Sequence, residues 1–199
     1  MSGELQPTAD LGVSGPKKDM AVLMALNHNG QAISLSRKLY EVSAGESLGS
    51  ADFSAAFDMG ALATAAQLQG LGQTLLEVTT EYAKQRKQFG KVIGQFQAMK
   101  HHLAEVAVSL EMARPLLHGA ALSVRDQSAD ASRDISAAKV ACGDAAYKAA
   151  RVGLQVHGAI GYTMEHDLSL WLTKVRALLT AWGTPSEHRA RVVEALVAS

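Results

Sequence analysis

From about residue 55 onward, apolar residues recur every three or four positions in four successive runs. The first carries Leu68, Leu71, Leu75, Val78 and Tyr82. The second carries Phe96, Met99, Leu103, Val106, Leu110, Ala113, Leu117, Ala120 and Val124. A third passes through Ile135, Ala138, Cys142, Ala145, Ala149, Val152 and Val156, and a less regular fourth through Leu168, Leu172, Val175 and Leu179. Such spacing marks the apolar stripes of helices that pack at shallow angles. Gly, Ser or Asp interrupt it near 90–94, 127–132 and 158–163, where helix ends are expected. Pro115 lies inside the second run and predicts a kink or a local distortion. Pro185 suits the first position of a final short helix. The pattern predicts a mainly α protein, an antiparallel bundle of four long helices and one short one over residues 55–199.

Ahead of the bundle the texture differs. Residues 1–19 read as a flexible lead. Residues 20–54 predict a small β segment, with two short runs around Asn27-His28-Asn29-Gly30 reading as a hairpin and Leu39–Val42 as a further strand.

Composition narrows the function classes. Lys+Arg and Asp+Glu number 19 each in 199 residues, so net charge is near zero and a general nucleic-acid or anionic-membrane binder is disfavoured. The single cysteine, Cys142, permits no internal disulfide. No apolar run reaches the roughly 18 residues that a membrane span needs. The first 19 residues lack the apolar core of a signal peptide, so a cytoplasmic protein is expected.

Two blocks carry candidate chemistry. Arg86-Lys87-Gln88-Phe89-Gly90, followed by Gln95-Phe96-Gln97, puts a permanent cation, an aromatic ring and a glycine turn at one helix junction. An arginine there can hold a phosphate or pyrophosphate in bidentate fashion. It can equally be an ordinary turn between helices. In Gln155-Val156-His157-Gly158-Ala159-Ile160-Gly161-Tyr162-Thr163, two glycines three apart allow a tight reversal or a close approach to a ligand; a helix C-cap followed by a turn has the same composition. A di-metal bundle site finds little support, since paired Glu-x-x-His motifs are missing and His101, His102 and Glu105 stand without a second copy.

Together the two blocks, in this order and separation, resemble the signatures of the acyl-CoA dehydrogenase family, over roughly residues 55–198. The resemblance implies an FAD enzyme of lipid β-oxidation that desaturates acyl-CoA thioesters, built as a homo- or heterotetramer of dimers. It further implies an electron-transfer flavoprotein as acceptor. The arginine matching Arg86 would contact the FAD pyrophosphate of a neighbouring subunit, with Phe89 and Gln97 along the ADP portion. Gln155, Val156, Gly158 and Gly161 would approach that flavin from the other side. Thr184 and Ser186 match positions that meet the subunit's own flavin.

The sequence also departs from the family. Family members remove the substrate α-proton with a carboxylate. Of its two usual positions, one is held here by Trp182 and the other by Gly60, with Ala61 beside it where an arginine is usual. Asp58 and Glu187 are the nearest carboxylates in sequence. Only about 50 residues precede the bundle, where the family has two further domains. Three readings follow. The chain is a subunit that completes the flavin site of a longer acyl-CoA dehydrogenase, which supplies the base; it is a self-sufficient enzyme using Asp58 or Glu187; or it is a non-catalytic oligomerisation bundle that binds no flavin.

Overall fold

The computed structural model describes residues 53–162 and 167–198. The expected flexible lead and nearly all of the expected β segment lie outside these residues. Phe53 and Ser54, assigned from sequence to that segment, instead cap and begin the first helix.

The described residues form five α-helices: α1 Ser54–Gln85, α2 Gln97–Arg125, α3 Ala131–His157, α4 Leu168–Thr180 and α5 Pro185–Val197. Three are long; α4 and α5 have 13 residues each, so the bundle has three long helices and two short ones where four long and one short were expected, α4 being no longer than its apolar run. Helix α2 continues through Pro115, which lies on its exposed side. All four stripes face inward, and none of their residues is exposed. Leu68, Leu75, Leu110 and Val175 are fully buried. Burial of a side chain of this size is worth about 1.5–3 kcal/mol.

The third stripe sets the spacing of the bundle. Ala138, Ala145, Ala146, Ala149 and Ala150 are all buried along α3. Gly72 of α1 packs onto Ala146, where an added Cβ would lie 3.3 Å from the Ala146 Cα. Small residues on both helices bring the backbones close and leave little room for larger side chains.

Between α1 and α2 the chain forms a hairpin rather than a simple turn. Strands β1 Lys87–Gln88 and β2 Lys91–Val92 pair antiparallel, with Lys87 opposite Val92 and Gln88 opposite Lys91. Phe89 and Gly90 form the loop with φ of +51° and +80°, as a type I′ turn requires. At the far end of the chain, Thr184 caps α5. Its hydroxyl accepts from the Glu187 amide, and the Glu187 carboxylate accepts from the Thr184 amide at 2.7 Å. Pro185 occupies the first turn, as its fixed φ favours.

Candidate functional site

The antiparallel topology divides the candidate residues between the two ends of the bundle. Arg86, Phe89 and Gln97 lie where α1 ends and α2 begins. Gln155, Val156, Gly158 and Gly161 lie where α3 ends, and a ring stack of Tyr82 on His157 joins this turn to the end of α1. Thr184 and Ser186 are at the other end, beside the start of α1, because Trp182 packs on Gly60. The helix from Gly60 to Gln85, 25 steps of about 1.5 Å, spans about 38 Å, more than one dinucleotide can bridge. The nine residues therefore fall into two groups at opposite ends of the bundle.

At the first end, the Arg86 side chain is exposed and makes no hydrogen bond or ion pair among the described residues. Phe89 is 91% exposed and held in the left-handed region, which costs a bulky residue of order 1–3 kcal/mol. Its ring meets Phe96 edge-on with centroids 6.3 Å apart, and the Lys91 ammonium sits 4.4 Å from the Phe96 centroid. A guanidinium without a partner among the described residues and a presented aromatic ring thus stand three residues apart in one hairpin, groups chemically able to hold a phosphate and to stack on an aromatic base. Gln97 is exposed at the start of α2. Gln155 is exposed on α3 and helps line an open cavity of about 420 Å³ with Tyr147, Lys148 and Arg151.

The glycine block splits in role. Gly158 is exposed at φ +63° with open space around it, so its backbone is approachable. Gly161 is buried, and a Cβ there would stand 3.0–3.2 Å from Leu168, Leu154 and His157. Its smallness serves packing against α4 rather than an opening to a ligand. The Val156 side chain is likewise buried in the bundle.

The second end contains Gly60 and Trp182, the two positions at which the family resemblance implied a base. A Cβ built on Gly60 would overlap Cδ2, Cε2 and Cε3 of Trp182. Two positions far apart in sequence thus converge on one locus, and an indole fills it. Phe53 stacks on Trp182 at 6.0 Å between centroids, and Phe57 meets it edge-on at 6.3 Å.

Beneath the Trp182–Gly183 turn, sequence reasoning missed a buried polar cluster. His188 is fully buried. Its Nε2 donates to the Trp182 carbonyl at 2.8 Å, and because a carbonyl only accepts, Nδ1 is left to accept from the Ser136 hydroxyl at 3.1 Å. Burial lowers the His188 pKa from 6.5. Lys139, 2% exposed, donates to the carbonyls of Leu178 and Leu179 and so caps the last turn of α4. Desolvation brings its pKa from 10.5 down to about 8, against a smaller opposing effect of Cys142. The signal was a lysine sitting within the small-residue stripe of α3.

The carboxylates considered as substitute bases already have structural partners. Asp58 accepts from Arg191 at 2.6 Å, and Arg191 also donates to Ser132 and lies over Phe57. Glu187 is held in the α5 cap. No group of three or more metal-ligating side chains occurs among the described residues, and none of their helices is long and apolar enough to cross a membrane.

Fold and site define a helical bundle with a presented cation and aromatic ring at one end and an aromatic plug at the other. Residues 49–197 match the acyl-CoA dehydrogenase C-terminal domain, and the chain belongs to that family. It is 34% identical over 135 residues to the acyl-CoA dehydrogenase IpdE2 of Mycobacterium tuberculosis, covering 68% of this chain and 41% of that protein. The ChsE4-ChsE5 complex of M. tuberculosis superposes with a TM-score of 0.68 at 26% identity, over 72% of this chain and 39% of the other. A solved FAD-dependent dehydrogenase gives 0.68 at 30% identity, over 72% and 39%. The last of these is FAD-dependent. The chain spans less than half the length of each of these relatives.

Proposed function

We propose that this chain acts within a flavin-dependent acyl-CoA dehydrogenase, where its Arg86 end completes an FAD site across a subunit interface. The observation that carries the reading is the Arg86 guanidinium, unpartnered among the described residues, on the same hairpin as a strained, exposed Phe89. Beyond the edge-on contact of Phe89 with Phe96, neither arrangement adds to folding, whereas a ligand carrying a phosphate and an aromatic base would use both. Arg86 holds the pyrophosphate, Phe89 and Gln97 follow the ADP portion, and the exposed backbone at Gly158 with the Gln155 side chain lies alongside. Thr184 and Ser186, at the other end, serve a second flavin.

When bound, FAD supplies the oxidant for α,β-desaturation of an acyl-CoA thioester. The carboxylate that takes the α-proton comes from a longer acyl-CoA dehydrogenase subunit, because Gly60 and Trp182 hold neither candidate position with an acid and Asp58 is committed to Arg191. The ChsE4-ChsE5 complex shows that two kinds of subunit associate in a relative of this fold. An electron-transfer flavoprotein is the expected acceptor, and the cytoplasm the expected compartment.

The test is the visible absorption of the purified protein with whatever copurifies. Flavin is expected in the assembly, with most of it lost in Arg86→Ala and part retained in Arg86→Lys, which keeps charge without the fork. Flavin content indifferent to Arg86→Ala would instead favour a non-catalytic oligomerisation bundle.

A further inference from the structure

The contact between Gly60 and Trp182 says more than that a base is missing. Whichever position supplies a carboxylate, it must reach the same substrate carbon, so the two positions should meet in space. They do: the indole lies over the Gly60 Cα, leaving no room even for a methyl group. The ring is 38% exposed, and its packed part lies against Gly60 and two phenylalanines. Phe53 stacks on one part of it and Phe57 abuts its edge.

The backbone beneath is equally constrained. Trp182 adopts φ +57° and Gly183 φ +99°. A side chain on Gly183 would meet His188 Nε2 and Phe57 Cζ at 2.9 Å. The Trp182 carbonyl is bound by a histidine that is itself buried and bonded to Ser136. A left-handed, non-glycine residue fixed by this many neighbours is over-determined, which is how a local strain persists. An indole offers one N–H donor and no group able to take a proton.

We propose that Trp182, seated on Gly60, closes this chain's own thioester site: the indole occupies the space a base from either position would use, so a CoA thioester is excluded there. Turnover is thereby confined to a site whose base another subunit provides. This deepens the function proposed above and rests on it for the identity of the locus.

Two measurements test it. The first concerns the seat alone and needs no flavin. Gly60 is inside α1, where alanine is intrinsically the better helix former. With Trp182 present, Gly60→Ala is expected to lower the Tm by roughly 5 °C through overpacking. In a Trp182→Ala background the same substitution should raise it. Equal effects in both backgrounds overturn the seat. The second titrates butyryl-CoA by calorimetry into the purified assembly, wild type and Trp182→Ala, at matched flavin content and with far-UV dichroism confirming the fold. One additional thioester equivalent per copy of this chain is expected in the variant. An unchanged stoichiometry in a folded, flavin-bearing variant overturns the closure. Failure of the broader flavin reading is separately visible as a colourless assembly, or as flavin content that ignores Arg86→Ala.

Discussion

The rings of Tyr82 and His157 stack with centroids 4.2 Å apart and planes 23° from parallel. Tyr82 lies one turn before Arg86 on α1, and His157 is the last residue of α3, its Nδ1 bonded to the Gly153 carbonyl at 2.7 Å. This stack ties the helix turn that precedes the Arg86 block to the glycine block. Replacing either ring with alanine is expected to destabilise the bundle, with a coupling of about 0.5–1.5 kcal/mol in a double-mutant cycle. Chemical denaturation measures it, and additive losses would show that the rings do not interact. Under the proposed function, His157→Ala should also weaken flavin retention without touching Arg86.

Phe89 sits where glycine would be relaxed. Because its ring is almost wholly exposed, Phe89→Gly gives up little burial and relieves the left-handed strain. Stability should therefore rise by about 0.5–1 kcal/mol while flavin retention falls. A variant no more stable than wild type would mean that the Phe96 contact already offsets the strain.

Asp58 and Arg191 join the first and last helices of the bundle. The Arg191 Nη1 atom is buried without a partner among the described residues, so the guanidinium depends on its remaining bonds. Asp58→Asn is expected to cost about 1–3 kcal/mol by leaving a partly buried cation under-compensated. Turnover per flavin at a temperature where both proteins are folded should not change. A specific loss of kcat, with stability preserved, would return Asp58 to consideration as a base.

The pH dependence of stability follows from three groups around the Trp182 turn. His188 has its pKa lowered from 6.5, so on acidification the unfolded chain takes up its proton first, and stability is lost as pH falls below about 6.5. Lys139 releases its proton near pH 8 when folded and near 10.5 when unfolded, so stability rises with pH across that window. Burial raises the Cys142 thiol from 9.0 to about 11, so the folded chain keeps a proton that the unfolded chain loses, and stability falls between those values. The net expectation is a rise from pH 8 to 9, opposing effects to 10.5, and a decline beyond. Urea midpoints at pH 6, 8, 9 and 11 test it, and Lys139→Met should abolish the first rise.

Much of this architecture is legible from residue order alone. A stripe at 3.6-residue spacing needs only local geometry to define a buried face, and Leu68, Leu110, Cys142 and Val175 all point inward as expected. Thr184, Pro185 and Glu187 announce their helix start because capping is a contact between near neighbours. The two blocks were recognisable because their residue types and order are specific. Tertiary structure alone decided what each residue faces. Whether Gly158 or Gly161 lies open depends on where α4 returns, and Lys139 reads as a surface lysine until Leu178 and Leu179 end a helix against it. Helix spacing says nothing about partners more than a hundred residues away. Gly60 and Trp182 each looked like a simple loss of an acid; packed together, they fill the place where one would stand.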